Sequence, residues 1–202
     1  MRRFTDRILI IGALLLLAAP ALAGVAPGDE APAFTLKDVE GKEHTLQAYL
    51  DEGLTVVIEW FNPDCPFIKK HHLDHRTMND LQAEFAEKDV VWLAINSGAP
   101  GKQGAGLERN RKAVEEYEIP FPVLLDESGE VGKAYGARTT PHMFIVTPDG
   151  MVAYAGAIDD DRSADKLGKT NYVRDALEEL TAGKAVSTKD SRPYGCSVKY
   201  AK

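Results

Sequence analysis

The chain of 202 residues carries two cysteines, Cys65 and Cys196. A cysteine thiolate is a nucleophile and a soft metal ligand, so the surroundings of these two sulfurs bound the chemistry on offer. Cys65 lies in the stretch Glu59-Trp60-Phe61-Asn62-Pro63-Asp64-Cys65-Pro66-Phe67-Ile68-Lys69-Lys70. The run before it, Thr55-Val56-Val57-Ile58, is short and β-branched and reads as a central buried strand. Asn62-Pro63-Asp64 breaks that strand. Asp64 is a candidate helix N-cap, and Pro66 suits a first helical turn, where a missing N–H costs nothing. Cys65 is thereby expected where a helix begins, and the free N–H groups and helix dipole there favour a thiolate reachable from solvent. The plainer reading, an inert core cysteine, fits a strand-to-helix corner less well.

Cys196 lies in a polar tail, Pro193-Tyr194-Gly195-Cys196-Ser197-Val198-Lys199-Tyr200. Its Gly and Ser neighbours predict a mobile, accessible thiol. A bond between the two cysteines would close a loop of 131 residues, for which chain entropy gives roughly 4–5 kcal/mol. A structural staple, a resolving thiol for Cys65, and two thiols that act apart or pair between molecules are therefore all open. Glu59 is an acid in a strand buried on both faces. Charge there is costly unless paired, so this carboxyl is expected to hold its proton to higher pH and could relay it to a thiol; the alternative is a Glu satisfied by a neighbouring lysine. Lys69 and Lys70 either add positive potential at Cys65 or are ordinary exposed lysines. His71, His72 and His75 invite a metal reading, since His71 and His75 are four apart on one helix face and could join Cys65 around copper. A solvated helix face shared with Asp74 is the simpler account. Asp159, Asp160 and Asp161 read as a solvated loop.

Residues 1–23 have a basic start, an apolar stretch from Ile8 to Ala19 and Ala21-Leu22-Ala23 before Gly24, which together predict a cleaved secretory signal. An uncleaved anchor is disfavoured by Pro20 and the Ala-Leu-Ala site. Cleavage removes three arginines and one aspartate, so the formal charge of −7 becomes −9. With no basic patch, neither nucleic acid nor an anionic membrane is an expected partner of the mature chain. The length suits one domain, residues 24–185, followed by a tail, 186–202, that carries Cys196.

The elements that must position the cysteine can be read from pattern. Residues 33–46 read as a hairpin around Asp38-Val39-Glu40-Gly41-Lys42. A helix is expected over 65–87, with Leu73, Met78, Leu81 and Phe85 on its buried face. Val90 to Asn96 reads as a second buried strand, Gly98 to Gly106 as a flexible surface loop, and Leu107 to Tyr117 as a charged amphipathic helix. A short strand at 121–126 and a helical turn at 131–135 come next. Strands at 142–146 and 151–155 flank Thr147-Pro148-Asp149-Gly150, and a helix over 171–183 stops at Gly183. Alternating βα units followed by a hairpin imply an α/β fold, a mixed central β-sheet flanked by helices, with an N-terminal β-hairpin and a C-terminal tail.

Cys65 at the strand-to-helix corner, Thr140-Pro141 before a strand, and Glu59 six residues ahead of Cys65 together resemble the thioredoxin-like fold, with its nucleophile, its cis-proline and its buried carboxylate. More narrowly the chain resembles secreted bacterial redoxins of the AhpC/TSA type. The shared marks are Cys-Pro-Phe-x-Lys, Ile158-Asp159-Asp160, Asn171-Tyr172 and the Gly-Cys-Ser-x-Lys tail. The resemblance implies that the Thr140-Pro141 loop packs against the nucleophile, keeps metals from it and offers backbone groups to an incoming chain as an edge strand does. His142 beside it is expected to pack. The chain departs from both families. Ile68 replaces the second cysteine of Cys-x-x-Cys. Ile58 and Asn62 stand where peroxiredoxins have Pro and Thr or Ser. Their active-site arginine falls at Pro141, leaving Arg138 as a nearby substitute.

The expectation is a periplasmic or secreted thiol oxidoreductase. Cys65 attacks protein disulfides or peroxides, Cys196 resolves, Glu59 tunes protons, and Thr140 and Pro141 shape the site. No cofactor is implied, and an unidentified donor returns the electrons. A copper-binding protein using Cys65, His71 and His75 is the alternative.

Overall fold

The computed structural model describes residues 24–202, and the expected signal segment lies outside the described residues. The sheet is built from β1 (Thr35–Asp38), β2 (Glu43–Thr45), β3 (Thr55–Trp60), β4 (Val90–Asn96), β5 (Val123–Leu125), β7 (Met143–Val146) and β8 (Val152–Gly156), in the order β2-β1-β5-β4-β3-β7-β8. β3 runs parallel to β4, and β4 to β5, while β1, β2, β7 and β8 join antiparallel. A separate ribbon pairs β6 (Thr139–Thr140) with β9 (Cys196–Ser197). The mixed α/β sheet with helices on both faces is the architecture expected.

The period of two along β3 divides the core. Val57 faces one apolar layer with Trp92, Ala94, Met143 and Ile145; Val56, Ile58 and Trp60 face the other with Leu93, Ile95, Phe144 and Val146. The first layer is closed by α3 (Thr77–Phe85), α4 (Leu107–Glu116) and α6 (Tyr172–Thr181), through Met78, Leu81, Phe85, Ala113, Val173 and Leu177. The second is closed by α1 (Leu46–Asp51) and α5 (Glu130–Tyr135), through Leu46 and Tyr135. Glu59 shares the Val57 side, so the strand aims its one acid at the layer that also holds Cys65.

Three expectations change. The helix over 65–87 is two helices. A four-residue α2 (Pro66–Lys69) passes into a π-helical turn over Lys70–Asp74, where His75 N–H donates to the Lys70 carbonyl at 3.0 Å. Arg76 then takes a left-handed φ of 50° before α3 starts. The extra residue in the turn shifts the helical phase, so Leu73 is exposed although Met78, Leu81 and Phe85 are buried. The loop 98–106 is pinned rather than free: Asn96 and Asn110 amides donate to the Gly104 carbonyl at 2.8 and 3.2 Å, and Asn62 donates to Gln103 O at 3.0 Å. The tail is also packed. Tyr194 is buried, Ala99 N–H donates to Lys199 O at 2.8 Å, and Tyr200 OH donates to Ala137 O at 2.9 Å.

Candidate active site

The corner that carries Cys65 is shaped by Asn62. Its side-chain oxygen accepts the Asp64 N–H at 2.9 Å, and its carbonyl accepts the Cys65 N–H at 3.0 Å, so the chain turns sharply off β3. Asp64 is not the cap expected of it. Cys65 holds the cap position of α2 with Pro66 as the first helical residue, while Asp64 turns outward to the Arg109 guanidinium at 2.9 Å. Tyr117 OH donates to Pro63 O at 2.5 Å and braces the same turn.

Cys65 is 1% exposed. Its thiol donates to the Thr140 carbonyl, with sulfur and oxygen 2.9 Å apart. The Thr140–Pro141 bond is cis, as the resemblance implied. Cys196 pairs with Thr140 across the β6–β9 ribbon and is half-buried; both cysteines are free thiols. Burial, then a hydrogen bond to Cys65 and then the Cys65 charge push the Cys196 thiol up to about 11, against a smaller opposite pull from Lys199. Cys196 is therefore protonated at neutral pH. The expected solvent-reachable Cys65 and mobile Cys196 are both corrected: the tail lies over the first and is held in register by the strand pair.

Glu59, 1% exposed, does not pair with a lysine. Its Oε2 meets His72 Nε2 at 2.9 Å, and both side chains are enclosed, the imidazole lying among Phe61, Tyr117 and Phe121. Glu59 Oε1 and His72 Nδ1 have no protein partner, so the pair is linked by one shared hydrogen bond and is otherwise bare. A second buried cluster was missed entirely. Lys70, fully buried, donates to Asp159 Oδ1 at 3.4 Å, to the carbonyls of Asp161 and Ser163 at 2.8 and 3.2 Å, and to Tyr194 OH at 3.1 Å. Tyr194 OH donates to Asp159 and lies 2.9 Å from His71 Nε2. Lys70 is thus not an exposed lysine, its ammonium being bound to Asp159 and the neighbouring carbonyls, and Asp159 is not solvated. The available signal was the sequence coincidence of Ile158-Asp159-Asp160 with a tail tyrosine two residues before Cys196.

The metal alternative loses its geometry. The π-helical turn separates the two histidines: His71 points inward to Tyr194 and to Thr77 Oγ1, at 3.3 Å, whereas His75 Nε2 faces the Asp165 carbonyl at 3.0 Å. Among the described residues no three His, Cys, Asp or Glu side chains are grouped to hold a metal. The solvated-face account fails too, since His71 and His72 are both fully buried. Arg138 is exposed and lies in the wall of a cleft with His142 and Pro193; His142 is buried and packs on Phe144, ring centres 4.5 Å apart.

Burial depresses two imidazoles. His71 falls to about 2, burial first and then the charges of Lys70, His72 and His75; His142 falls to about 4, burial first and then Arg138. Each is neutral in the fold and binds a proton on unfolding once the pH drops below about 6.5. The unfolded chain then holds more protons, so this stability is complete above pH 6.5 and is lost as pH falls, from both groups down to pH 4 and from His71 alone below that. At full slope each contributes about 1.4 kcal/mol per pH unit. Urea midpoints between pH 7 and 4 should fall accordingly, and His142→Gln should flatten the slope. A midpoint unchanged over that range contradicts this.

A parallel-centred sheet, a cysteine at the β3–α2 corner and a cis X-Pro loop against its sulfur define a redoxin of thioredoxin-like fold. The AhpC/TSA family model matches residues 27–155, and the chain belongs to that family. The curated thiol-disulfide oxidoreductase ResA of Geobacillus thermodenitrificans is 31% identical over 128 residues, covering 63% of this chain and 67% of the relative. The chain spans about two thirds of the length of such relatives. A solved but uncharacterized conserved protein of Geobacillus kaustophilus is 34% identical, with a TM-score of 0.76 over 87% of this chain and 92% of that one. The thioredoxin domain of a thiol-disulfide oxidoreductase from Bacteroides vulgatus, 20% identical, has a TM-score of 0.59 over 78% of this chain and 99% of its own and shares the fold.

Proposed function

We propose that the protein is an exported thiol–disulfide oxidoreductase in which Cys65 attacks and Cys196 resolves. The observation that supports this most is the strand register that lays Cys196 opposite Thr140, whose carbonyl accepts the Cys65 thiol. The ResA relatives and the family membership support the same reaction class. A dithiol otherwise supplied by Cys-x-x-Cys is here divided between the corner and the tail, since Ile68 holds the third position after Cys65.

The steps balance as ordinary exchange. Cys65 gives up its proton, and its thiolate bonds to one sulfur of a substrate disulfide; the other substrate sulfur leaves as a thiolate and takes up a proton. Cys196 then loses its proton and attacks the Cys65 sulfur, releasing the second substrate thiol. The substrate gains two electrons, and the Cys65–Cys196 pair loses them. Once Cys65 is in a mixed disulfide its charge and hydrogen bond no longer oppose Cys196 ionisation, leaving burial as the main restraint. The first step thereby activates the second. A dithiol donor reverses the sequence, so the same pair can reduce or oxidise according to its partner. Glu59 with His72 is the buried acid–base pair of the site. Thr140 and Pro141 hold the sulfur by their backbone. Disulfides are proposed over peroxides because Asn62 and Pro141 occupy the positions of the hydroxyl and the guanidinium that polarise a peroxide, Ile58 replaces the proline of the same motif, and Arg138 lines a cleft whose walls do not include Cys65. Export is inferred from the signal expected at residues 1–23 and from a cysteine pair suited to an oxidising compartment.

The test is quenched-flow mixing of the reduced, full-length mature chain with a cystine-containing unfolded protein, followed by peptide mapping. The wild type should accumulate the Cys65–Cys196 bond, and Cys196→Ser should stall as a mixed disulfide on Cys65. Adducts on Cys196 alone, or none, would refute the assignment.

A further inference from the structure

The reaction proposed above needs Cys65 to meet a sulfur from another molecule, yet Cys65 is 1% exposed. The chain's own C-terminal segment lies against it, with Cys196 packed on the core cluster that holds Cys65 and hydrogen-bonded to its sulfur. Residues 194–200 run antiparallel to the loop ahead of β7, with Thr139 opposite Ser197 and Thr140 opposite Cys196. Val198 N–H donates to Arg138 O at 3.1 Å, continuing the ladder by one rung. The segment is extended, it adds a strand to an edge, and it presents a thiol to Cys65. Those are the features that an incoming polypeptide substrate needs at such an edge.

We propose that the tail is a built-in pseudo-substrate: residues 194–200 occupy the β6 edge, where the family resemblance places an incoming chain, and keep other molecules from Cys65 until a partner displaces them. This rests on the exchange reading above and adds to it a segment of the chain that gates the site. Two anchors hold the tail. Inward of Cys196, Tyr194 is bound into the Lys70–Asp159–His71 cluster and lies edge-on to Phe67, ring centres 5.7 Å apart. Outward, Tyr200 reaches Ala137 O and covers Gly129 and Gly132. Between the anchors the fit depends on Gly195. It has a φ of +133°, and a Cβ there would collide with the Thr140 carbonyl. The same collision predicts a preference among substrates: a chain that follows the tail's backbone path favours glycine before the attacked cysteine. Because Cys196 lies within the strand, closing the Cys65–Cys196 bond fixes the tail on the edge, and reduction frees it to exchange with a partner. Docking is thus confined to the reduced protein.

The experiment uses full-length mature protein carrying Cys196→Ser, so that Cys65 is the one thiol left. The probe is a synthetic copy of residues 193–199 whose cysteine carries a thionitrobenzoate disulfide, and release of the chromophore is followed by stopped flow. Adding Gly195→Ala should dislodge the tail and raise the rate by about tenfold or more, as expected when a local cover is opened. Replacing the peptide's glycine with valine should lower the rate by a similar factor. Should Gly195→Ala perturb folding, Tyr200→Ala, which removes only the outer anchor, should move the rate in the same direction. Equal rates with the tail tightened or loosened, while wild type still closes its Cys65–Cys196 bond, overturn the pseudo-substrate and leave the exchange reading standing. A Cys65 no faster than a free peptide thiol once amide exchange shows the tail released overturns the exchange reading itself.

Discussion

Cys65→Ser should reduce disulfide exchange to the background rate of free thiols, while Cys196→Ser keeps the first half-reaction and loses the second. The asymmetry comes from position. Cys65 holds the cap position of α2 and is hydrogen-bonded to Thr140, whereas the Cys196 thiol is pushed up to about 11, by burial first and then by its hydrogen bond to Cys65 and the Cys65 charge. A serine at 65 can make the same hydrogen bond to Thr140 but is a far weaker nucleophile than a thiolate, so the fold should persist with the activity gone. The measurement is turnover of a cystine-containing protein with an excess dithiol donor, next to a urea melt. Equal losses for the two variants at the first step would contradict the division of roles.

The second large effect is on stability. Lys70 is fully buried and Asp159 3% exposed, and their contact, with Tyr194, links the π-helical turn, the loop after β8 and the tail. Lys70→Met leaves a buried carboxylate whose remaining donors are Tyr194 OH and the N–H groups of Asp161 and Gly168. Breaking one side of such a pair costs about 3–5 kcal/mol, a large part of the 5–15 kcal/mol that ordinarily separates folded from unfolded chains. Urea denaturation should show that loss. Lys70→Met/Asp159→Leu should recover only part of it, because the Gly168 N–H and Tyr194 hydroxyl are then left without their acceptor. A loss below about 1 kcal/mol in the single variant, the range of exposed pairs, would mean the pair contributes little.

Much of the sheet was legible because its strands are bounded by strong breakers. Asn62-Pro63 ends β3, Asp149-Gly150 turns β7 into β8, and the buried run 90–96 matches β4 residue for residue. α6 was equally plain, since Asn171 caps it by accepting the Arg174 N–H and Gly183 lies just past its end with a φ of 69°. The stretch 65–87 was opaque for the converse reason. Nothing between Lys69 and Thr77 is a Gly or Pro, so pattern alone carries a helix straight through. The interruption is tertiary: a π-helical turn that places Lys70 on Asp159, His71 on Tyr194 and His72 on Glu59. The partners lie 13 to 123 positions away in sequence, beyond any local periodicity. Cys196 was legible as a candidate but not as a strand, because two residues in a polar tail carry no alternation. Its placement depends on Tyr194 and Tyr200, which look like ordinary tail residues in the sequence.

The central claim is that one reversible two-electron couple joins Cys65 to Cys196. Equilibrating the purified mature chain across a graded series of dithiol and disulfide buffers, then blocking free thiols and mapping the peptides, measures that couple directly. The account predicts a single transition in which both cysteines lose their label together and a Cys65–Cys196 linked peptide replaces them. Independent transitions, or glutathione adducts on each cysteine with no linked peptide, would contradict it.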